Sequence, residues 1–415
     1  MNLGESFLIK KIGDDQKVAW AVAIVIFSTP IVTFINAVTN LIYPNIIDTI
    51  IFYCAEGLIV LSALPVIVKR LKAYDFIGIM IIVAIYLSNF LFFPGNFTKL
   101  VEIAVRFFLF VLPCYLLGRA VTDVQSIMSF VRTVAAVTIV CSVLTQVVWF
   151  YSGYVQADDM SFSYYVLPST LFFISQLFQK KNLKNIVLSM SGVFVLILAG
   201  TRGPLVCVMA FVGYSIMIKM KKAKDYFLLI SVLATGVYLW ISNFYINLLT
   251  ALNNLLLSAG LNNRILYTLI NGEFIESRER DMLIEKTIAY TNSAGFFGRG
   301  IGSERVILGE YAHNLIYEIW CHFGYFIGSI ALMLILVILL KGFIKNNSQI
   351  ERCFFGILLC SSVVKLFMSS SYLNEPILWL LFGYCISAGI SKKAQPGLGK
   401  KDVQLVYCNT FLHNS

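Results

Sequence analysis

The stretch Gly298 to Gly328, GRGIGSERVILGEYAHNLIYEIWCHFGYFIG, decides how this chain is built. Glycines at 298, 300 and 302 form a turn, and a short linker with Arg305 and Glu310 follows. His313 and Asn314 come next, and behind them a predominantly apolar run continues to Leu340. A hydrophilic segment thus ends where a helix long enough to cross a bilayer begins. That boundary sets reactive side chains at the mouth of a membrane-embedded cavity.

The rest of the chain supplies the membrane body. Of 415 residues, 59% are hydrophobic and 13% charged, with a mean hydropathy of +0.81. A soluble domain has about 45–50% apolar and about 25% charged residues. Both shifts together indicate an all-α integral membrane protein. The net charge of +10 invites a nucleic-acid reading, but the basic residues come in short clusters between apolar runs. That is the pattern that orients membrane helices, so no nucleic-acid partner is expected. Most of the nine cysteines fall inside apolar segments with no Cys-x-x-Cys spacing, so they read as small buried hydrophobes. The N-terminus lacks the compact apolar run and small-residue cleavage site of a removable signal, and the first membrane segment is expected to stay in place.

A bilayer core of about 30 Å takes roughly 20 apolar residues per helix. That length predicts about twelve spans, near 18–36, 46–68, 75–94, 101–118, 127–151, 164–178, 186–200, 204–219, 226–244, 314–340, 353–372 and 377–390. They divide the chain into a membrane bundle over 1–244, a large loop over 245–313, membrane helices over 314–390 and a tail over 391–415. Most of the 32 Lys and Arg residues fall on one set of connections, which places both termini in the cytoplasm and the large loop in the periplasm. Within that loop, LLTALNNLLLSAGL and RDMLIEKTIAYT have helical apolar spacing and read as amphipathic surface helices.

On the outer face, AGTRGPL at 199–205 forms a tight turn that holds Arg202 at the membrane edge, with Pro204 placed to start the next helix. Arg202 suits an interfacial anchor. It equally suits a fixed guanidinium for phosphate oxygens. A histidine such as His313 at a membrane surface is more often structural than catalytic, yet it accepts a proton near neutral pH. Asn314 beside it suits orienting the ring or binding a hydroxyl. A zinc site lacks ligand spacing, and GRGIGS lacks the flanking strand and Lys-Ser or Lys-Thr of a nucleotide cradle. Charges within spans, Glu56, Arg106, Arg132 and Lys365, require partners or a wet cavity. Glu102 and Arg106 are spaced to pair on one helix face, and Arg106 lies nearest the outer side. Arg299 and Lys286 read as bystanders on the loop.

The order of these elements resembles the O-antigen polymerase and O-antigen ligase superfamily. The resembling parts are TRG at 201–203, Arg280, the GFFGRGIG turn, and YAHNLIYEIWCHFGYFIG with its HN and G-x-x-x-G. The resemblance implies a metal-independent membrane glycosyltransferase of the GT-C type in the bacterial inner membrane. It would act at the periplasmic face on glycans carried by undecaprenyl diphosphate, without a cofactor. It assigns Arg202 and Arg280 to the diphosphate, with Arg278 as a substitute, and His313 to the acceptor. Asn314, Arg305 and Arg106 are further expected substrate contacts. Implied partners are membrane lipids, a chain-length regulator and a flippase. Polymerisation of repeat units is the first reading, and transfer to lipid A–core by a ligase is the second. About twelve spans also suit a lipid-linked-glycan transporter, although transporters often show paired halves, and none is evident here.

Overall fold

The computed structural model describes residues 13–42, 48–152, 160–199, 201–219, 278–293 and 297–387, with isolated positions between 250 and 270. Among them every regular element is helical. In chain order these are α1 (Asp14–Phe27), α2 (Thr29–Ile42), α3 (Asp48–Arg70), α4 (Ala73–Phe92), α5 (Phe97–Arg106), α6 (Leu112–Ala120) and α7 (Val124–Tyr151). Then come α8 (Met160–Gln179), α9 (Leu183–Leu198), α10 (Arg202–Lys219), α11 (Arg278–Asn292), α12 (Ser303–Leu308), α13 (Leu315–Lys345), α14 (Gln349–Leu359) and α15 (Pro376–Ser387).

Five segments are long and apolar enough to cross a membrane: Ala73–Phe92, Pro94–Ala120, Val124–Tyr151, Arg202–Lys219 and Leu315–Lys345. The bent pair α1–α2 makes a sixth if taken as one span. The expected number of about twelve is therefore not reached among the described residues. At about 1.5 Å per residue, a helix as short as α15 falls well short of a bilayer core of about 30 Å. The expected span at 226–244 and the LLTALNNLLLSAGL helix lie essentially outside the described residues.

Side-chain caps set several helix starts. Asp123, Asn182 and Asn314 each accept backbone N–H bonds at the head of α7, α9 and α13. Ser348 and Glu351 form a capping box on α14. The first expected span is broken instead of continuous, with α1 and α2 meeting at 56°. Pro30 in the first turn of α2 has no N–H to continue the ladder. The hydroxyl of Thr138 on α7 donates to the carbonyl of Phe27 at 2.6 Å, which satisfies a group that the break exposes.

Small residues bring the helices together. Ala19, Ala21 and Ala23 are fully buried, so α1 sits inside the bundle against α3, α6, α7 and α8. A Cβ at Gly118 would lie 2.2 Å from the carbonyl oxygen of Leu380, and one at Gly383 would lie 2.1 Å from that of Tyr115. Only glycine permits α6 and α15 to approach this closely. At one end of the bundle Arg119 and Asp75 form a buried pair at 2.6 Å, and Arg70 pairs with Asp15 at 2.6 Å. The candidate site lies at the other end, where α4 turns into α5.

Candidate functional site

The 31-residue α13 is interrupted at Gly324, whose φ of 75° and ψ of 169° no helix contains. The interruption leaves carbonyls of the preceding turn without helical partners. The glycine turn supplies them: Arg299 N donates to the Cys321 carbonyl at 2.8 Å, and Gly300 N to that of His322 at 3.0 Å. Gly298, at φ 74°, must be glycine twice over, because a Cβ would also lie 2.4 Å from Gly324 N. From its other side the turn is held by Asn96, whose Nδ2 donates to the Arg299 carbonyl at 2.8 Å, and by Asn89, which accepts from Ile301 N at 2.8 Å. Sequence reading placed the glycine turn and the helix correctly but not the break into which the turn fits.

The expected linker after the turn is a helix, α12, with left-handed glycines at both ends, Gly302 and Gly309. It carries Glu304 into a fully buried cluster. Glu304 Oε2 lies 2.6 Å from His322 Nε2, and His322 Nδ1 lies 2.9 Å from the Tyr372 hydroxyl. Glu318, one turn before His322 on the same face, accepts from Ser371 Oγ and from Tyr372 N. Burial pushes the Glu304 carboxyl up, but the His322 imidazole and the Arg305 guanidinium outweigh it and hold the group below the usual carboxylate range. Donor atoms of Glu304, Glu318 and His322 all lie within 4.8 Å of one another, the only such three-ligand group among the described residues. Sequence reading passed over this cluster. The signal was present, since Glu318 and His322 interrupt an apolar run where ionisable groups are costly.

Arg305 and His313 meet around one aromatic ring. The Arg305 guanidinium lies 6.0 Å from the centre of the Tyr311 ring, and the His313 ring lies 4.2 Å from that centre, tilted by 38°. His313 has a positive φ of 52°, uncommon outside glycine, and its Nε2 lies 3.4 Å from Glu310 Oε2. Arg305 Nε lies 3.4 Å from Glu304 Oε1. The Nε and Nη2 groups of Arg305 are buried without a hydrogen-bond partner among the described residues. Asn314 caps α13, its Oδ1 accepting from Ile316 N at 3.0 Å and Tyr317 N at 3.5 Å. Arg106 is exposed at the end of α5, next to a π-helical turn at Phe107–Val111. The expected pairing of Glu102 with Arg106 is replaced by one with Lys99 at 3.1 Å.

Arg202 is the first residue of α10 itself, which corrects the expectation that the helix starts at Pro204. Gly203 packs so closely on Tyr164 that a Cβ would lie 1.8 Å from its hydroxyl. The ring of Tyr164 faces Lys365 Nζ at 5.1 Å, and Lys365 pairs with Glu375, as expected of a charge within a span. Ser370, at φ 74°, also donates to Glu375 at 3.2 Å. The segment 369–375 thus touches the Lys365 side, next to the TRG turn, through Ser370 and Glu375, and the Glu318–His322 side through Ser371 and Tyr372. Arg132, another charge within a span, donates to Gln176 at 2.9 Å. The side chain of Glu56 lies outside the described residues.

Arg278 and Arg280 open α11, and their side chains lie outside the described residues. The helix docks by its far end: Asn292 accepts from the Tyr325 hydroxyl at 2.5 Å, and the Tyr290 ring faces the Arg299 guanidinium at 4.7 Å. Arg280 therefore lies about 18 Å along the helix axis from that contact. Of the expected site residues, Arg305, His313 and Asn314 come together, and a chain of contacts joins them to the turn of Arg202. Arg106 lies on the edge of this region, near Glu102. No family model matches this chain, and neither curated proteins nor solved structures give a significant match.

Proposed function

We propose that this chain is a metal-independent membrane glycosyltransferase that polymerises oligosaccharide repeat units carried on undecaprenyl diphosphate. The observation that carries the reading is the Arg305 guanidinium beside His313: its buried Nη2 has no hydrogen-bond partner among the described residues, and its Nε has only a 3.4 Å ion contact with Glu304. A buried donor left unmade is costly, and a phosphate oxygen is the acceptor that best repays a guanidinium. The membrane helices would carry this site at the periplasmic face with both termini cytoplasmic. In the reaction an acceptor hydroxyl attacks the anomeric carbon, and undecaprenyl diphosphate departs with inversion. Arg305, Arg202 and Arg280 neutralise the departing diphosphate as its charge grows. His313 accepts the hydroxyl proton, and the Glu310 carboxylate at 3.4 Å stabilises the imidazolium that results.

One observation favours a transporter instead, since α13 is broken at Gly324 beside buried ionisable groups, as in many transport sites. Incubating the purified protein with lipid-linked repeat units separates the readings. A ladder of longer glycans without lipid A–core supports the polymerase. Glycan transfer only when lipid A–core is added supports the ligase, and movement of the lipid across liposomes with no bond formed supports the transporter.

A further inference from the structure

The side chains of Glu304 and His322 are fully buried, whereas that of Arg305 is partly exposed. Arg305 contacts Glu304 and links this pair toward the surface. We propose that Glu304 and His322 are a positioning pair that fixes the Arg305 guanidinium for the substrate diphosphate, an inference that rests on the diphosphate reading above.

The two oxygens of Glu304 have separate contacts. Oε2 is held at 2.6 Å by His322, while Oε1 makes no hydrogen bond among the described residues and holds Arg305 Nε through an ion-pair contact at 3.4 Å. His322 is itself fixed, because its other ring nitrogen lies 2.9 Å from the Tyr372 hydroxyl. Tyr372 is anchored through its backbone, whose carbonyl accepts from Trp379 Nε1 at 2.8 Å and whose N–H donates to Glu318. An arginine has a long stem with several rotors, and a guanidinium that must meet two phosphate oxygens gains from being held in one orientation. The Tyr372 and His322 contacts fix the Glu304 carboxylate, and the Glu304 contact then restricts the guanidinium. The alternative occupant of the cluster is a divalent cation. The guanidinium beside Glu304 already supplies positive charge there, and a metal would sit against it.

The test uses the full chain in detergent, with geranylgeranyl diphosphate as probe, geranylgeraniol as control and tryptophan fluorescence as readout. Arg305→Ala should weaken diphosphate affinity more than about tenfold, and Glu304→Gln about tenfold, with geranylgeraniol binding unchanged. In the Arg305→Ala background, Glu304→Gln should cause no further loss, because a positioning residue acts only through the group it holds. Tyr372→Phe, a milder change at the far end of the relay, should lose about threefold alone and nothing in that background. Thermal melts of the same proteins separate these effects from general damage.

Unchanged affinity in both Glu304→Gln and Tyr372→Phe would overturn the positioning role and leave the diphosphate reading standing. Additive losses in the double variants would do the same, because the cluster would then act through the fold alone. A stoichiometric metal in the wild-type protein that Glu304→Gln removes would overturn it too. If Arg305→Ala binds the diphosphate normally, both the positioning role and the diphosphate reading of this site fall.

Discussion

The two parts of α13 on either side of Gly324 belong to one predominantly apolar run and have opposite places in the fold. Residues 315–323 carry Glu318, Cys321 and His322 into contact with α12 and the 369–375 segment, all three buried. Residues 325–345 expose Phe326, Ile330, Met333, Leu334 and Val337. At about 1.5 Å per residue the second part alone reaches about 31 Å, enough for a bilayer core. The first part is therefore free to leave the span and serve the site. A continuous hydropathy profile conceals a division of labour that one glycine creates.

The largest expected effect comes from removing that division. Gly324→Ala places a side chain at a φ/ψ combination that is essentially glycine-only, with strain of about 1–3 kcal/mol, and also disturbs the bonds from Arg299 and Gly300. It should lower the melting temperature of the purified protein and abolish activity. Ile330→Ala, on the exposed face of the same helix, should cost much less. Equal effects of the two would mean that the break has no special role.

Next in size is the contrast between the buried and exposed faces. His322→Ala leaves Glu304 buried without its imidazole and should cost about 3–5 kcal/mol in unfolding experiments. Met333→Ala on the exposed face should stay within about 1 kcal/mol. A smaller effect concerns pH. Because the folded Glu304 carboxyl is held below its usual value, its contribution is present above the unfolded carboxylate pKa of 4.5. It is lost as pH falls through the lower folded value. The melting temperature should therefore drop between pH 6 and pH 3 by more in the wild type than in Glu304→Gln. A parallel drop in both would show that Glu304 is not the group responsible.

The helical membrane character was legible because composition and apolar run length are one-dimensional properties. The glycine turn, the helix head at Asn314 and the pairing of Lys365 were legible for similar local reasons. The cluster of Glu304, Glu318, His322 and Tyr372 was not, because its members come from three separate elements and meet only once α12 and the 369–375 segment dock. Arg299 misled in the same way. It reads as a loop bystander, yet its guanidinium donates to the Ser293 carbonyl at 2.6 Å and lies over Tyr290, tying α11 to the glycine turn. Asn314 has a cap's position and a cap's chemistry.

The most direct test of the proposed site is glycan laddering in a polymerase-null strain that expresses each variant at matched levels. His313→Ala and Arg202→Lys should abolish long ladders, the second because lysine keeps the charge but loses the two-pronged geometry. Lys286→Ala, exposed on α11, should ladder like the wild type. Loss of a positioned base or of a donor to developing charge typically costs about 10² to 10⁴ in rate, enough to erase polymer. Long ladders from both His313→Ala and Arg202→Lys would contradict the account and place the chemistry elsewhere on the chain.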